Sequence, residues 1–133
     1  MIPNLTDRLL GLQVLELGHY LGAPFCTRIL ADRGAEVIKI EPPGGDPFRG
    51  WGAAVNGNSV WFSIHGRNKL SVELDLKKDL DTVLRVAARA DVLVENIRAG
   101  HLDRRMSGPA ALPPVNPQRP LPRILVPAPA RPA

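Results

Sequence analysis

The sequence predicts an α/β fold: a Rossmann-like parallel sheet with flanking helices, followed by a Pro/Arg-rich irregular tail. Three observations predict it. Short apolar runs alternate with stretches of helical period. The order strand, helix, strand recurs within about 30 residues, the length of a right-handed βαβ unit. Apolar periodicity then stops beyond Arg105, where prolines crowd the chain. Residues 1–106 are therefore read as one domain and residues 107–133 as an irregular or disordered tail.

The elements follow in order. Gln13-Val14-Leu15-Glu16-Leu17 is an apolar run ending at Gly18, a strand. Pro24 suits the first turn of a helix, where its fixed φ and missing N–H do no harm. Phe25, Cys26, Ile29 and Leu30 share one face of that helix, and Gly34 is its left-handed end. Glu36-Val37-Ile38-Lys39-Ile40 is a second strand, stopped by Pro42-Pro43. Pro43 to Arg67 reads as a long loop, of the kind that is functional or belongs to an interface. Leu70-Ser71-Val72-Glu73-Leu74 alternates with period two, a strand with one buried face. Asp79 to Ala90 is a helix with Leu80, Val83, Leu84 and Ala87 on one stripe and an Asp81–Arg85 pair at i,i+4 spacing. Val92-Leu93-Val94-Glu95 is apolar enough for a strand covered on both faces.

Composition narrows the function. The 133 residues carry a net charge of +4, but residues 1–103 hold 12 Lys+Arg against 13 Asp+Glu, and residues 104–133 hold five Arg and no acid. The basic character thus belongs to the tail. A basic footprint on a folded face is missing, and six Phe, Trp and Tyr are too few for a base-stacking platform, so no nucleic-acid partner is expected. No apolar run reaches about 18 residues, and the start Met1-Ile2-Pro3-Asn4-Leu5-Thr6-Asp7 has no signal core, so a cytoplasmic protein without membrane contact is expected. One cysteine, Cys26, excludes an internal disulfide, and His19, His65 and His101 lack metal-ligand spacing.

Few residues suggest chemistry by themselves. Cys26 lies on the apolar stripe with Ile29 and Leu30, which favours packing over nucleophilic duty. His19, in the loop after the first strand, could act as a base, but no acid is paired with it in sequence. Asp46 and Arg49 could order their loop as a charge pair, or stand solvated in a turn. Trp51 and Trp61 suit a dimer contact or a substrate channel rather than a domain core. Gly18-x-x-x-Gly22 is not the dinucleotide fingerprint.

Four segments together are more specific. They are Gly11 to Leu17; Pro24 to Pro47, containing Ala35-Glu36-Val37-Ile38-Lys39-Ile40-Glu41-Pro42; Arg67-Asn68-Lys69-Leu70-Ser71-Val72-Glu73-Leu74-Asp75-Leu76-Lys77; and Ala90-Asp91-Val92-Leu93-Val94-Glu95-Asn96-Ile97-Arg98 on to Arg104. In order and spacing the chain resembles the class III CoA-transferases (the CaiB/BaiF type), which include carnitine-CoA and formyl-CoA transferases and the α-methylacyl-CoA racemases. The resemblance covers nearly all of residues 9–104 and weakens toward Asn116-Pro117.

The resemblance implies a Rossmann-like fold that binds coenzyme A, within a longer chain that forms interlocked homodimers. It implies transfer of CoA between carboxylic acids through intermediates on an aspartate, with acyl-CoA and carboxylic acids as substrates and no permanently bound cofactor. No residue here matches that aspartate, so the expectation is an amino-terminal portion without its nucleophile, inactive alone. The tail is expected to come from truncation with a reading-frame change, or from an unusual replacement. Alternatives are a fragment of the racemase branch, which removes a proton α to a thioester, or a non-catalytic protein that pairs with a full-length relative.

Carried over residue by residue, the family's CoA contacts fall on Tyr20, Leu74, Lys77, Asn96, Ile97 and Arg104. Lys77 precedes a helix start, where a cation is disfavoured by roughly 0.3–1 kcal/mol unless an anion such as a phosphate is present. Otherwise it is a solvated surface lysine. Asn96 directly follows a buried strand, at the end where open α/β sheets bind ligands; the other reading is an Asx turn. Arg104 could grip a phosphate, or stand solvated beside Asp103. Two departures stand out. Gly22-Ala23-Pro24 replaces the family's usual Ala-Gly-Pro, and Leu21 stands where formyl-CoA transferases carry glutamine, which argues against a copied formyl or oxalyl specificity.

Overall fold

A computed structural model describes residues 8–97 and 123–125. The elements are β1 (Gln13–Leu17), α1 (Gly22–Ala31), β2 (Glu36–Glu41), a 3-10 turn (Pro47–Gly50), β3 (Ala54–Val55), β4 (Asn58–Ser59), α2 (Val60–Gly66), β5 (Lys69–Glu73), α3 (Leu80–Ala87), β6 (Val92–Glu95) and β7 (Arg123–Leu125). Five strands form one parallel sheet in the order β5-β2-β1-β6-β7. The parallel α/β architecture expected from the sequence is the one found. The chain builds to one side of β1 with β2 and β5, then crosses to its other side with β6, so β1 borders a topological switch point.

Period-two alternation sorts the strand residues between two cores. Val14, Val37 and Val94 pack with Ala23, Ala31 and Ala35 under α1. Leu15, Leu17, Ile40 and Leu93 pack with Val83 and Ala87 of α3 on the opposite face. Burying each such Leu or Val side chain contributes about 1.5–3 kcal/mol relative to exposure.

Several expectations are corrected. Helix α1 begins at Gly22 and buries Ala23, Pro24, Thr27 and Ala31, while Phe25 and Ile29 are 44% and 40% exposed. Small side chains let α1 approach the sheet closely: a Cβ added at Gly18 would lie 2.5 Å from the Ala23 Cβ. The 43–67 segment is less irregular than a loop. It holds a 3-10 turn, a short β3–β4 hairpin and α2, whose start is capped by Ser59 Oγ accepting from Phe62 N at 3.2 Å. Strand β5 lies where expected, but it lacks the buried apolar face: only Lys69 is half-buried. Leu70 and Val72 are exposed at the sheet edge, and Lys69 and Ser71 reach acidic partners under the α1 side. Arg85 donates to Thr82 Oγ1 at 3.0 Å rather than pairing with Asp81.

In the segment expected to be irregular, Arg123–Leu125 pair with β6 as a short parallel strand. This triplet lies between Pro122 and Pro127 and contains no proline, so its backbone can join a ladder. The rest of that tail lies outside the described residues.

Candidate functional site

The carboxyl ends of β1, β2, β5 and β6 surround a hollow of about 140 Å³. Leu17, Gly18 and His19 line it from β1, and Ile40, Glu41, Pro42 and Pro43 from β2. Leu74, Asp75, Leu76 and Lys77 follow from β5, and Ile97 from β6. A turn shapes the third group: Asp75 N donates to Asp79 Oδ2 at 2.8 Å, Asp79 N donates to Asp75 O at 2.7 Å, and Lys77 N donates to Asp75 Oδ1 at 2.8 Å. The turn leaves the Lys77 side chain exposed, with no ion pair among the described residues.

The loop after β1 is pinned at three successive residues. Gly18 O accepts from Lys39 Nζ of β2 at 2.8 Å. His19 N donates to Asn96 Oδ1 at 3.0 Å, and Asn96 Nδ2 donates to His19 O at 2.9 Å. Tyr20 N reaches toward Asp46 Oδ1 at 3.5 Å. Tyr20 has a φ of +61°. For a bulky side chain such backbone costs about 1–3 kcal/mol and survives only where the surroundings over-determine it.

Beneath this loop lies a buried charge network. Lys39 Nζ donates to Glu16 Oε1 and to Gly18 O, each at 2.8 Å, and forms an ion pair with Asp46 Oδ2 at 2.7 Å. Glu16 Oε2 also takes Lys69 Nζ at 2.8 Å and Thr27 Oγ1 at 2.5 Å, and Lys69 Nζ donates to Pro24 O at 2.8 Å. Glu41 binds Arg49 by two bonds, 2.6 Å and 2.7 Å, and accepts from Ser71 Oγ and Asp46 N. The expected Asp46–Arg49 pair is therefore replaced by Asp46–Lys39 and Arg49–Glu41.

These surroundings set the titration of each group. Burial opposes the charge of Lys39, but Glu16 and Asp46 outweigh it and hold the ammonium above its ordinary value. Burial and the nearby Lys39 depress Lys69 against the pull of Glu16. Burial would raise Glu41, yet hydrogen bonds from Arg49, Ser71 and the Asp46 backbone bring it down to about 2. Burial lowers His19, helped by Lys39 and opposed by Asp46, Glu16 and Glu41. Cys26 packs beside the α1 core, and burial followed by Glu16 pushes its thiol up, which favours the packing role.

Of the six residues singled out in the sequence, Leu74, Lys77 and Ile97 converge on the hollow. Asn96 adjoins it through His19. The Tyr20 ring turns instead to Phe48 and Trp51, edge to face at 6.4 and 5.9 Å between centroids. Arg104 lies outside the described residues. The sequence reading missed Glu16, Lys39, Lys69 and Glu41. Their signal was a charged residue at an inward position of an otherwise apolar strand.

The aromatic residues of the 43–67 segment form a cluster around Phe48, which is 1% exposed. Trp61 stacks on His65 with 5° between ring planes, and Phe25 meets His65 edge on. His65 is 5% exposed, and burial, then Arg28, Lys69 and Arg67, lowers its pKa.

A parallel sheet with a hollow at its switch point, bordered by a loop and an exposed lysine, is the Rossmann-like arrangement in which open α/β sheets place their ligand sites. The profile of CoA-transferase family III matches residues 9–118, and the chain belongs to that family. It is 44% identical over 109 residues to a succinyl-CoA–D-citramalate CoA-transferase of Chloroflexus aurantiacus, covering 79% of this chain and 27% of that protein. It is 45% identical over 111 residues to an acetyl-CoA:oxalate CoA-transferase of Acetobacter aceti, covering 81% of this chain and 28% of that protein. A crystal structure of a CaiB/BaiF family protein from Brucella suis superposes with a TM-score of 0.76 at 36% identity, covering 89% of this chain and 32% of that one. The chain thus spans little more than a quarter of the length of these two curated relatives. Among the described residues, no helix is long and apolar enough to cross a membrane.

Proposed function

We propose that this chain contributes the CoA-holding part of an enzyme that moves coenzyme A between carboxylic acids. The observation that carries the reading is the convergence of Leu74, Lys77 and Ile97 on one hollow at the carboxyl ends of the strands. Lys77 would meet a phosphate of CoA and Leu74 and Ile97 would line an apolar segment of it, while Tyr20, Asn96 and Arg104 complete the set that the family resemblance implies, Asn96 through the His19 backbone it holds. A hollow of about 140 Å³ is small beside ordinary ligand pockets of about 300–1,000 Å³, so it suits one segment of CoA while the remainder lies across the surface.

The buried network supports this reading by leaving Lys77 as the lysine of the hollow's rim with no ion-pair partner among the described residues. Lys39 and Lys69 are each committed to Glu16. Transfer itself would require the aspartate that the family uses, and no residue of this sequence matches its position. The isolated chain is accordingly expected to bind CoA with little or no turnover. Acyl-CoA and carboxylate substrates and a homodimeric assembly belong to the same reading.

Calorimetric titration with CoA tests it. The wild-type chain should bind, and Lys77→Ala should weaken binding by about tenfold, the equivalent of one charge-assisted hydrogen bond. No heat of binding from the wild type at millimolar CoA would refute the reading.

A further inference from the structure

We propose that Asn96 and Lys39 are positioning residues, which hold the loop 18–20 in the strained form that presents Gly18 and His19 to the hollow. This rests on the reading of the hollow as the CoA site, and it gives Asn96 a role other than direct contact. The Asn96 amide already engages both backbone groups of His19, one bond through Oδ1 and one through Nδ2. Lys39 Nζ donates to Gly18 O while its charge is held by Glu16 and Asp46.

The two holds come from opposite neighbours of β1. Lys39 stands on β2, and Asn96 directly follows β6. Between them the loop has little freedom: a Cβ at Gly18 would meet Asn96 Oδ1 at 2.5 Å. The left-handed backbone of Tyr20 comes next in the chain. A left-handed residue directly after backbone that is pinned by long-range side-chain bonds, 77 residues apart in the case of His19 and Asn96, is consistent with a loop shape kept for recognition. The ligand reads the loop, and Asn96 acts through it.

The test uses the full chain and CoA itself. Amide hydrogen exchange is followed at His19 and, as reporters of the sheet, at Leu15 and Leu93, alongside calorimetric titration with CoA. In Asn96→Ala, exchange at His19 should accelerate at least about tenfold and CoA affinity should fall by about tenfold, with Leu15 and Leu93 unchanged. Lys77→Ala should weaken CoA while leaving His19 exchange as it is.

Three results would overturn the proposal. Affinity lost with His19 exchange unchanged would make Asn96 a direct contact. Affinity kept with the loop released would make the loop's shape irrelevant to the ligand. Loss of protection at Leu15 and Leu93 would reduce Asn96 to a structural support. A wild-type chain that takes no CoA would instead remove the underlying reading, and the proposal with it, an outcome distinct from the other three.

Discussion

Glu16 and Lys39 face one another in register on adjacent parallel strands and join at 2.8 Å, with side chains 0% and 2% exposed. Neither charge can be hydrated there, so each depends on its protein partners. Glu16 is shared by Lys39, Lys69 and Thr27, while Lys39 also ties down Asp46 and Gly18. The pair thus connects β1, β2, β5, α1 and the loops that follow the first two strands.

Lys39→Met should destabilise the chain by about 3–5 kcal/mol, because it leaves the Asp46 carboxylate without its cation and Glu16 with one fewer. Urea unfolding measures this. A double variant Lys39→Met with Asp46→Asn should lose less than the sum of the two single changes, as expected for groups in direct contact. Additive losses would show that the pair is not coupled.

Stability should fall with acid in the window set by Glu41. Its folded value of about 2 lies below the ordinary value of 4.5. Its contribution is therefore fully present above about pH 4.5 and is lost as the pH falls toward 2. Glu41→Gln should be less stable at neutral pH and should flatten the urea midpoint against pH across that window. A wild-type profile already flat between these values would contradict the assignment.

The histidines act in a higher range. Burial is the first cause that lowers both His19 and His65, and their ordinary value is 6.5. The unfolded chain then takes up protons before the folded one, so this stability is present above about pH 6.5 and declines as the pH drops below it. NMR titration of the imidazole Cε1 protons should give midpoints below 6.5 for both residues. His65→Phe should keep the aromatic stacking and remove its share of the pH dependence.

Gly18→Ala should cost about 1–3 kcal/mol through overpacking. The added methyl would lie 2.5 Å from both the Ala23 Cβ and Asn96 Oδ1, and the first of these belongs to a helix fixed on the sheet. Thermal unfolding measures the loss. Gly44→Ala is the comparison, since its Cβ meets nothing within 4 Å and any effect there comes from its φ of +87° alone.

Leu70 is 60% exposed and Val72 36% exposed on β5, which ends the sheet among the described residues. Such an edge invites association with other chains. Leu70→Lys should reduce self-association in sedimentation velocity, with a change in unfolding midpoint within about 0.5 kcal/mol. Unaltered association would show that the contact surface lies elsewhere.

The strands were legible because Val14-Leu15, Val37-Ile38 and Val92-Leu93 carry β-branched and apolar residues, the first two runs bounded by Gly and Pro. Periodicity also located α3, through Val83 and Ala87. On α1 it placed Cys26 and Leu30 correctly beside the core but put the exposed Phe25 and Ile29 with them, because the closest contact is made by Ala23, Thr27 and Ala31, whose small size matters more than their hydropathy. It also took Leu70 and Val72 as the buried side of β5. Position at the sheet edge overrides alternation, and Lys69 turns inward because Glu16 awaits it. At the site, Lys77, Leu74 and Ile97 were legible through family resemblance. The Asn96–His19 and Lys39–Gly18 bonds were not, since pairings across 77 and 21 residues leave no local pattern.

Those long-range bonds carry a consequence for how the protein is made. His19 is synthesised early, yet the group that fixes it, Asn96, emerges 77 residues later. The first crossover can assemble while the nascent chain is still growing, but its loop cannot settle until the sixth strand has docked. The shape of this loop is therefore fixed only after β1 has gained both of its neighbours in the sheet, β2 and β6.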